Sequence, residues 1–352
     1  MQSTSSTTFA ERLLSRWQFA GTKALALPFL VGLLAVGLLS GLIVGAVPIG
    51  IGSLINGDLS DQQNAVLYSI RMPRVLLAAI VGMSLAVSGA CMQGLFRNPL
   101  ADPGLIGISS GAALAVAVMI VLINPLSGTF GLYGLSVAAF VGGLVTSLLI
   151  FRFSRLAGGF SVTYMLLAGI AVTALAGAGT GFLTFLSDDQ QLRSLTFWTM
   201  GSLGGALWDA VIVAASIVLP ASILMIRHAD ALNLLLLGED EARHLGVDTT
   251  RLKRLVILCT ALSVGAAVAV SGIIGFVGLV VPHLVRLTIG PDHRLLIPAS
   301  ALLGAALLVV ADTVARIVVA PAEMPVGILT SLIGGPFFLW LLLAQFSRRF
   351  SL

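Results

Sequence analysis

The side chains able to do chemistry in this chain are few, and the most conspicuous are arginines at the edges of apolar runs. Arg71 and Arg74 flank Pro73 just before one such run, and Arg316 follows Asp312 by four residues, the spacing of a helical ion pair. A guanidinium offers a planar fork that can hold a carboxylate bidentately, so these three arginines suit the recognition of acidic groups. The plainer alternative is a helix end snorkelling toward lipid headgroups, which accounts for one arginine better than for three. The other polar constellation is Gly238-Glu239-Asp240-Glu241, in the most charged stretch of the chain. Its acids would sit at the positive end of a short helix, with Ala242 and Leu245 as an apolar edge and Gly246 as its stop. Such a helix suits docking onto a soluble partner, or is simply a solvated loop helix.

Other chemistries find no support. No GxxxxGK[ST] occurs, and neither of the two lysines, Lys23 and Lys253, lies in a glycine-rich loop, so a nucleoside triphosphate is not bound by that device. His228, His244, His283 and His293 are scattered, without HExxH or Cys/His spacing, which argues against a metal site. Cys91 and Cys259 fall inside apolar runs and read as small buried hydrophobes. No series of Asp, Glu or His crosses the apolar runs, as a proton-coupled carrier would need. No catalytic cluster and no cofactor of its own are expected, and any energy source belongs to another polypeptide.

The elements that position these groups are membrane helices. Of 352 residues 58% are hydrophobic and 10% charged, against about 25% charged in soluble domains, and the mean hydropathy is +1.06. The apolar runs are continuous rather than alternating, which predicts an all-α polytopic membrane protein and not a β-barrel. Ten spans can be drawn: Ala24–Val47, Arg74–Leu95, Leu105–Ile123, Leu132–Phe151, Val162–Leu186, Asp209–Ile226, Leu255–Ser271, Phe276–Ile289, Leu295–Val319 and Pro325–Phe346. With the N-terminus in the cytoplasm, only Arg71, Arg74, Arg193 and Arg316 of the 19 basic residues fall outside, so both termini are predicted to be cytoplasmic. Loop placement also explains the pI of about 9.6 without nucleic acid.

The expected organisation is a cytoplasmic tail over 1–23, one membrane domain over 24–346 with a cytoplasmic loop over 227–254, and a short tail over 347–352. Pro48–Ile70 should form a short external surface helix leading to Arg71. The polar break Arg97-Asn98-Pro99-Leu100-Ala101-Asp102-Pro103-Gly104 lies at the inner surface. Glycines recur at 37, 41 and 45, cluster at 177, 179 and 181, and break the turn at 272, 275 and 278; ordinary close helix packing is the first reading for each.

Several long motifs carry a specific resemblance. RMPR…GMSLAVSGACMQGLFRNPLADPGLIGISSGA, GEDEARHLGVD, SGIIGFVGLVVPHLVRL and AEMPVGILTSLIGGPFFLWLL, in order from Arg71 to Leu343, resemble the permease subunits of type II bacterial ABC importers for iron chelates, haem and cobalamin. The resemblance implies a homodimer in the inner membrane with the translocation path at its interface. It also implies two cytoplasmic ATPase subunits that bind ATP and Mg, and a periplasmic substrate-binding protein. Arg71, Arg74 and Arg316 match positions that take glutamates of the binding protein. Asn98 and Leu100 match a cytoplasmic gate, and a second gate falls around Ser161, Val162 and Thr163. Gly238, Glu239, Glu241, Ala242, Leu245 and Gly246 match the helices that couple to the ATPase. The run FWTMGSLGG and FRNPLADPGLIG look most like the haem permeases of the family, so haem is the expected cargo, with ferric siderophores and cobalamin as alternatives and a stand-alone secondary transporter as the outside class. With no histidine on an obvious mid-membrane path, fixed axial iron ligation during passage is not expected.

Overall fold

A computed structural model describes residues 9–123, 129–155, 160–320 and 322–350, and within them the chain is helical with no strand. The helices are α1 (Phe9–Ile43), α2 (Ile51–Asn56), α3 (Asp61–Val66), α4 (Met72–Phe96), α5 (Ile108–Val118), α6 (Thr129–Phe153), α7 (Val162–Leu186), α8 (Asp189–Thr199), α9 (Trp208–Arg227), α10 (Ala229–Leu237), α11 (Glu239–His244), α12 (Thr249–Ser271), α13 (Val277–Thr288), α14 (His293–Val318) and α15 (Val326–Phe350). Among the described residues, seven apolar helical segments are long enough to span a bilayer, and three shorter ones, Ile108–Ile123, Val277–Thr288 and Val326–Leu341, complete the expected set. This is the polytopic all-α architecture that the apolar runs predict.

Two boundaries differ from the sequence reading. Helix α1 starts at Phe9, upstream of the apolar run at Ala24, and continues through both Gly21 and Pro28. The second span begins at Asp61 rather than Arg74. A π-helical turn over Leu67–Arg71 joins α3 to α4 and carries the helix through Pro73, giving 36 continuous residues, about 54 Å at 1.5 Å per residue. That exceeds a hydrocarbon core of about 30 Å, so one end projects beyond it. Two helices were not expected. The Asp188…Gln191 capping box that starts α8 is legible in the sequence. Helix α10 follows α9 directly after His228, and its apolar run ADALNLLLL gives no break that would separate it.

The core is built on α4, α12 and α14, the segments most enclosed by the rest of the chain. α4 packs chiefly on α14 and also meets α12, α13 and α9, while α1 covers α14 and α7 lies on α5. Lipid supplies no hydrophobic drive between helices, so close backbone approach has to supply dispersion. Gly82 and Gly304 provide it where α4 crosses α14: a Cβ on Gly304 would stand 2.5 Å from both the Gly82 carbonyl oxygen and the Ala86 Cβ. Gly89 meets the Gly278 backbone of α13 in the same way. Gly41, from the four-residue repeat, faces Thr313 and Val309 of α14. On α7, by contrast, Gly177 and Gly181 face no atom within 4 Å, and Ile170, Leu175, Phe182 and Phe185 along that helix are exposed.

This contrast makes a test. Gly304→Leu should destabilise the protein by about 1–3 kcal/mol through overpacking and lower the thermal midpoint in detergent. Gly177→Leu should leave that midpoint unchanged in the isolated chain. Equal losses would mean that the α4–α14 crossing is no tighter a constraint than the α7 surface.

Candidate functional site at the two ends of the bundle

Arg71, Arg74 and Arg316 come together at one end, where α1 and α14 finish and α4 begins. All three are turned inward. Arg71 Nη1 donates to the carbonyl oxygens of Leu42 (2.8 Å) and Ile43 (2.9 Å), and Nη2 donates to that of Val47 (2.5 Å). The last carbonyls of a helix have no partner of their own, and a cation there also complements the helix dipole. Arg74 Nε lies 3.1 and 2.9 Å from the two oxygens of Asp312, and Nη2 donates to Oδ1 at 2.9 Å. Its remaining Nη1 donates to Glu323 Oε2 at 2.8 Å. Arg316 Nη2 donates to the Gly41 carbonyl (3.1 Å) and to Thr313 Oγ1 (3.2 Å), with Nε 3.4 Å from Asp312 Oδ2.

The Asp312–Arg316 pairing predicted from spacing is therefore present, but Asp312 serves Arg74 more closely. Arg71 and Arg74 are only 3% and 4% exposed, so the picture of guanidiniums available at the rim is corrected. They are drawn in because an unpartnered helix end and a buried carboxylate each need a cation. Three arginines face two carboxylates here, leaving one positive charge in excess. A cavity of about 460 Å³ opens onto Arg71, Arg74, Arg316 and Glu323, between Val47 and Ile317. Glu323 went unnoticed in the sequence, since nothing local marks it as a partner of a residue so far away in the chain.

At the opposite end lies the short charged helix. α11 forms where Gly238–Gly246 predicts it, with Glu239, Asp240 and Glu241 in its first turn, and it closes with the Gly246 N–H on the Arg243 carbonyl at 2.9 Å. Glu239 is an anchor: it accepts from Arg243 Nη2 at 2.7 Å and is ion-paired to Lys253 Nζ of α12. Burial opposes its charge, but the hydrogen bond to Lys253 and the charges of Lys253 and Arg243 outweigh that and hold the carboxyl below its ordinary range. The expected apolar edge divides. Ala242 is fully buried against the protein, whereas Leu245 is exposed, alongside exposed Leu237. Gly238 lies against the Glu241 carboxylate.

A polar staple that the sequence reading missed ties this region to α14. Asn233 of α10 donates through Nδ2 to Asp292 Oδ1 at 2.7 Å and accepts the His293 backbone N–H at 2.9 Å; its Oδ1 also lies 2.8 Å from His293 Nδ1. Asp230 of α10 is ion-paired to Arg294. His293, one of the four scattered histidines, is buried and packed against Gly94 of α4.

The polar break lies at this same end. Arg97 ends α4 in the left-handed conformation, φ 52°, and Asn98 Oδ1 accepts the Leu100 N–H at 3.0 Å in a local turn, so Asn98 shapes the loop. Leu100 and Pro99 line a tight seam with His283 of α13 and Phe337, Phe338 and Leu341 of α15. Ser161 caps α7 by accepting the Tyr164 N–H, with Val162 as the first residue of that helix and Thr163 exposed beside it. The 3₁₀ turn Pro103–Ile106 that follows the break packs on α7, which makes the two loops neighbours. Among the described residues no group of three or more His, Cys, Asp or Glu could hold a metal ion.

Comparison with known proteins agrees with this architecture. The model of the FecCD transport family matches residues 33–344. The hemin transport system permease protein HmuU of Yersinia pestis is 54% identical over 325 residues, covering 92% of this chain and 97% of its own. The cobalamin import system permease protein BtuC of Halobacterium salinarum is 43% identical over 297 residues, covering 84% of this chain and 78% of its own. Among solved structures, a metal-chelate type ABC transporter in an inward-facing conformation superposes with a TM-score of 0.81 at 36% identity, covering 90% of this chain and 98% of that one. With motifs, helix order and both relatives concordant over most of its length, the chain belongs to the FecCD transport family as an ABC transporter permease.

Proposed function

We propose that this chain is the permease of an ABC importer that carries haem across the bacterial inner membrane. The observation that carries this reading is its 54% identity to a hemin permease over nearly the whole of both chains. The similarity to a cobalamin permease, at 43%, favours cobalamin as the second reading. In this reading the permease works as a homodimer, with α7 offering the partner an exposed face that carries Gly177 and Gly181. Two cytoplasmic ATPase subunits bind ATP and Mg, and a periplasmic binding protein supplies cargo. The chain itself breaks no bond and holds no cofactor. Its tails, 1–23 and 347–352, lie on the cytoplasmic side with the coupling loop 227–254.

Each end has a role in this cycle. The arginine-rich cavity, with its excess positive charge, suits acidic groups of the binding protein, and complementary charge raises the docking rate more than the final affinity. Exposed Leu237, Glu241 and Leu245 form the surface offered to the ATPase, while Glu239 and Ala242 fix that surface to the permease. Movement there passes through the Asn233–Asp292–His293 staple into α14, the helix that carries Asp312 near its other end. The loops at Asn98–Leu100 and Ser161–Thr163 act as the cytoplasmic gate, with Leu100 closing on α13 and α15.

Four outcomes check this. Reconstituted with its ATPase in liposomes and supplied with binding protein, the permease should accumulate haem in preference to a ferric siderophore or cobalamin; uptake of another ligand instead of haem overturns the cargo assignment. Ala242→Leu should lift α11 from its seat and abolish ATP-driven uptake while the permease stays folded. The Glu239 carboxylate is held below its ordinary range, so its contribution to anchoring α11 is complete at neutral pH and is lost as pH falls through that lowered value. Coupling should therefore be flat from about pH 6 to 8. Arg74→Ala should cost about 1–3 kcal/mol of stability by removing the Asp312 hydrogen bonds and leaving that carboxylate to Arg316 alone, read as a fall in thermal midpoint. An unchanged midpoint would return Arg74 to a purely docking role.

A further inference from the structure

Glu323 differs from every other member of the arginine cluster. Asp312 is buried and held by two arginines, whereas the Glu323 side chain is 52% exposed. It reaches into the mouth of the cavity with a single strong contact, Arg74 Nη1 at 2.8 Å. That nitrogen is the part of Arg74 which Asp312 does not use. Beside it, Arg316 Nε is buried and makes no hydrogen bond, so the cluster has donor capacity to spare as well as surplus charge. The Arg74–Glu323 contact is thus the one carboxylate–guanidinium pair here that can open to solvent without stranding a buried charge.

The position of Glu323 in the chain adds a consequence. It stands just before Pro325 and the start of α15, and the segment is pinned to α14 by the Met324 N–H on the Ala315 carbonyl at 3.3 Å. The turn over 201–205 closes over the carboxylate: a Cβ on Gly204 would lie 3.0 Å from Glu323 Oε2, and the Gly327 N–H approaches the Gly201 carbonyl at 3.4 Å. Helix α15 otherwise packs principally on α14 and α13, and its far half closes on Leu100 at the polar break. The carboxylate that occupies Arg74 is therefore tethered to the helix that touches the gate loop.

We propose that Glu323 is a placeholder: it occupies Arg74 Nη1 while the outer face is empty, is displaced by an acidic side chain of the docking protein, and on displacement releases the start of α15. This rests on the reading of the arginine-rich end as the docking face. The occupant that displaces it is a protein surface bearing an exposed aspartate or glutamate, since a carboxylate of the same charge restores the charge-assisted hydrogen bond that Arg74 Nη1 loses.

The test uses the complete permease–ATPase complex in nanodiscs, with its binding protein titrated in, for the wild type and Glu323→Gln. The glutamine keeps the side chain's size and removes its charge. Docking of Glu323→Gln should tighten by about twofold to fivefold, the worth of a half-exposed ion pair, and ATP hydrolysis without binding protein should rise. Glu323→Asp, which keeps the charge, should stay near wild type in both. Weaker docking of Glu323→Gln would make Glu323 a docking contact in its own right, and unchanged docking would make it a structural ion pair; either result overturns the proposal. A wild-type complex that binds no binding protein at all would instead remove the docking reading itself, and the placeholder with it. Thermal midpoints of all three complexes separate these effects from misfolding.

Discussion

Asp312 is the group on which one end of this protein depends. A carboxylate that is 1% exposed inside a helical membrane bundle is tolerable only if its charge is met in place, because neither lipid nor bulk water can meet it there. Arg74 answers from α4 and Arg316 from α14 itself. Arg74 is thereby held in a fixed orientation that leaves one nitrogen over. The excess positive charge at this end, the cavity beside it and the exposed glutamate that fills the vacancy all attend that remainder.

The same economy of polar groups runs along the bundle. Buried Ser84 and Ser263 bond to each other at 2.9 Å across α4 and α12, and Gln93 of α4 reaches the Gly278 and Leu279 carbonyls of α13. Arg71 satisfies the end of α1. These contacts stiffen the α4–α12–α14 core, which also carries the glycine crossings. Peripheral helices are different in kind. α7 presents open glycines and exposed aromatic residues, while α15 is held by few neighbours. A rigid core flanked by loosely held helices is the physical requirement for a permease that must rock without unfolding. α14 joins both functional ends, with His293 in the staple to α10 and Asp312 in the arginine cluster.

Much of this was legible beforehand, and the reasons are specific. Continuous apolar runs and the scarcity of charge define a helical membrane protein, since nothing else in lipid can satisfy the backbone. The spans follow from the apolar runs, and helix α11 from three acids between two glycines. The Asp312–Arg316 pair followed from a spacing of four residues. Motifs such as NPLADPG and EMPVG carry the family resemblance in the sequence itself. All of these are local or compositional signals, and each is contained in a window of the chain.

What the tertiary structure decided is which of those groups are already occupied. Arg71 and Arg74 look free in the sequence because their partners, the Leu42 to Val47 carbonyls, Asp312 and Glu323, lie far away along the chain and meet them only when α1, α4 and α14 converge. Ala242 and Leu245 look like one apolar edge, and packing sends one inward and the other out. Gly82 and Gly177 look alike, yet one sits in a crossing with no room for a methyl group and the other faces open space. Residue type and spacing determine what a segment is; its partners are set by the crossing of helices distant in sequence, and no local pattern encodes that convergence.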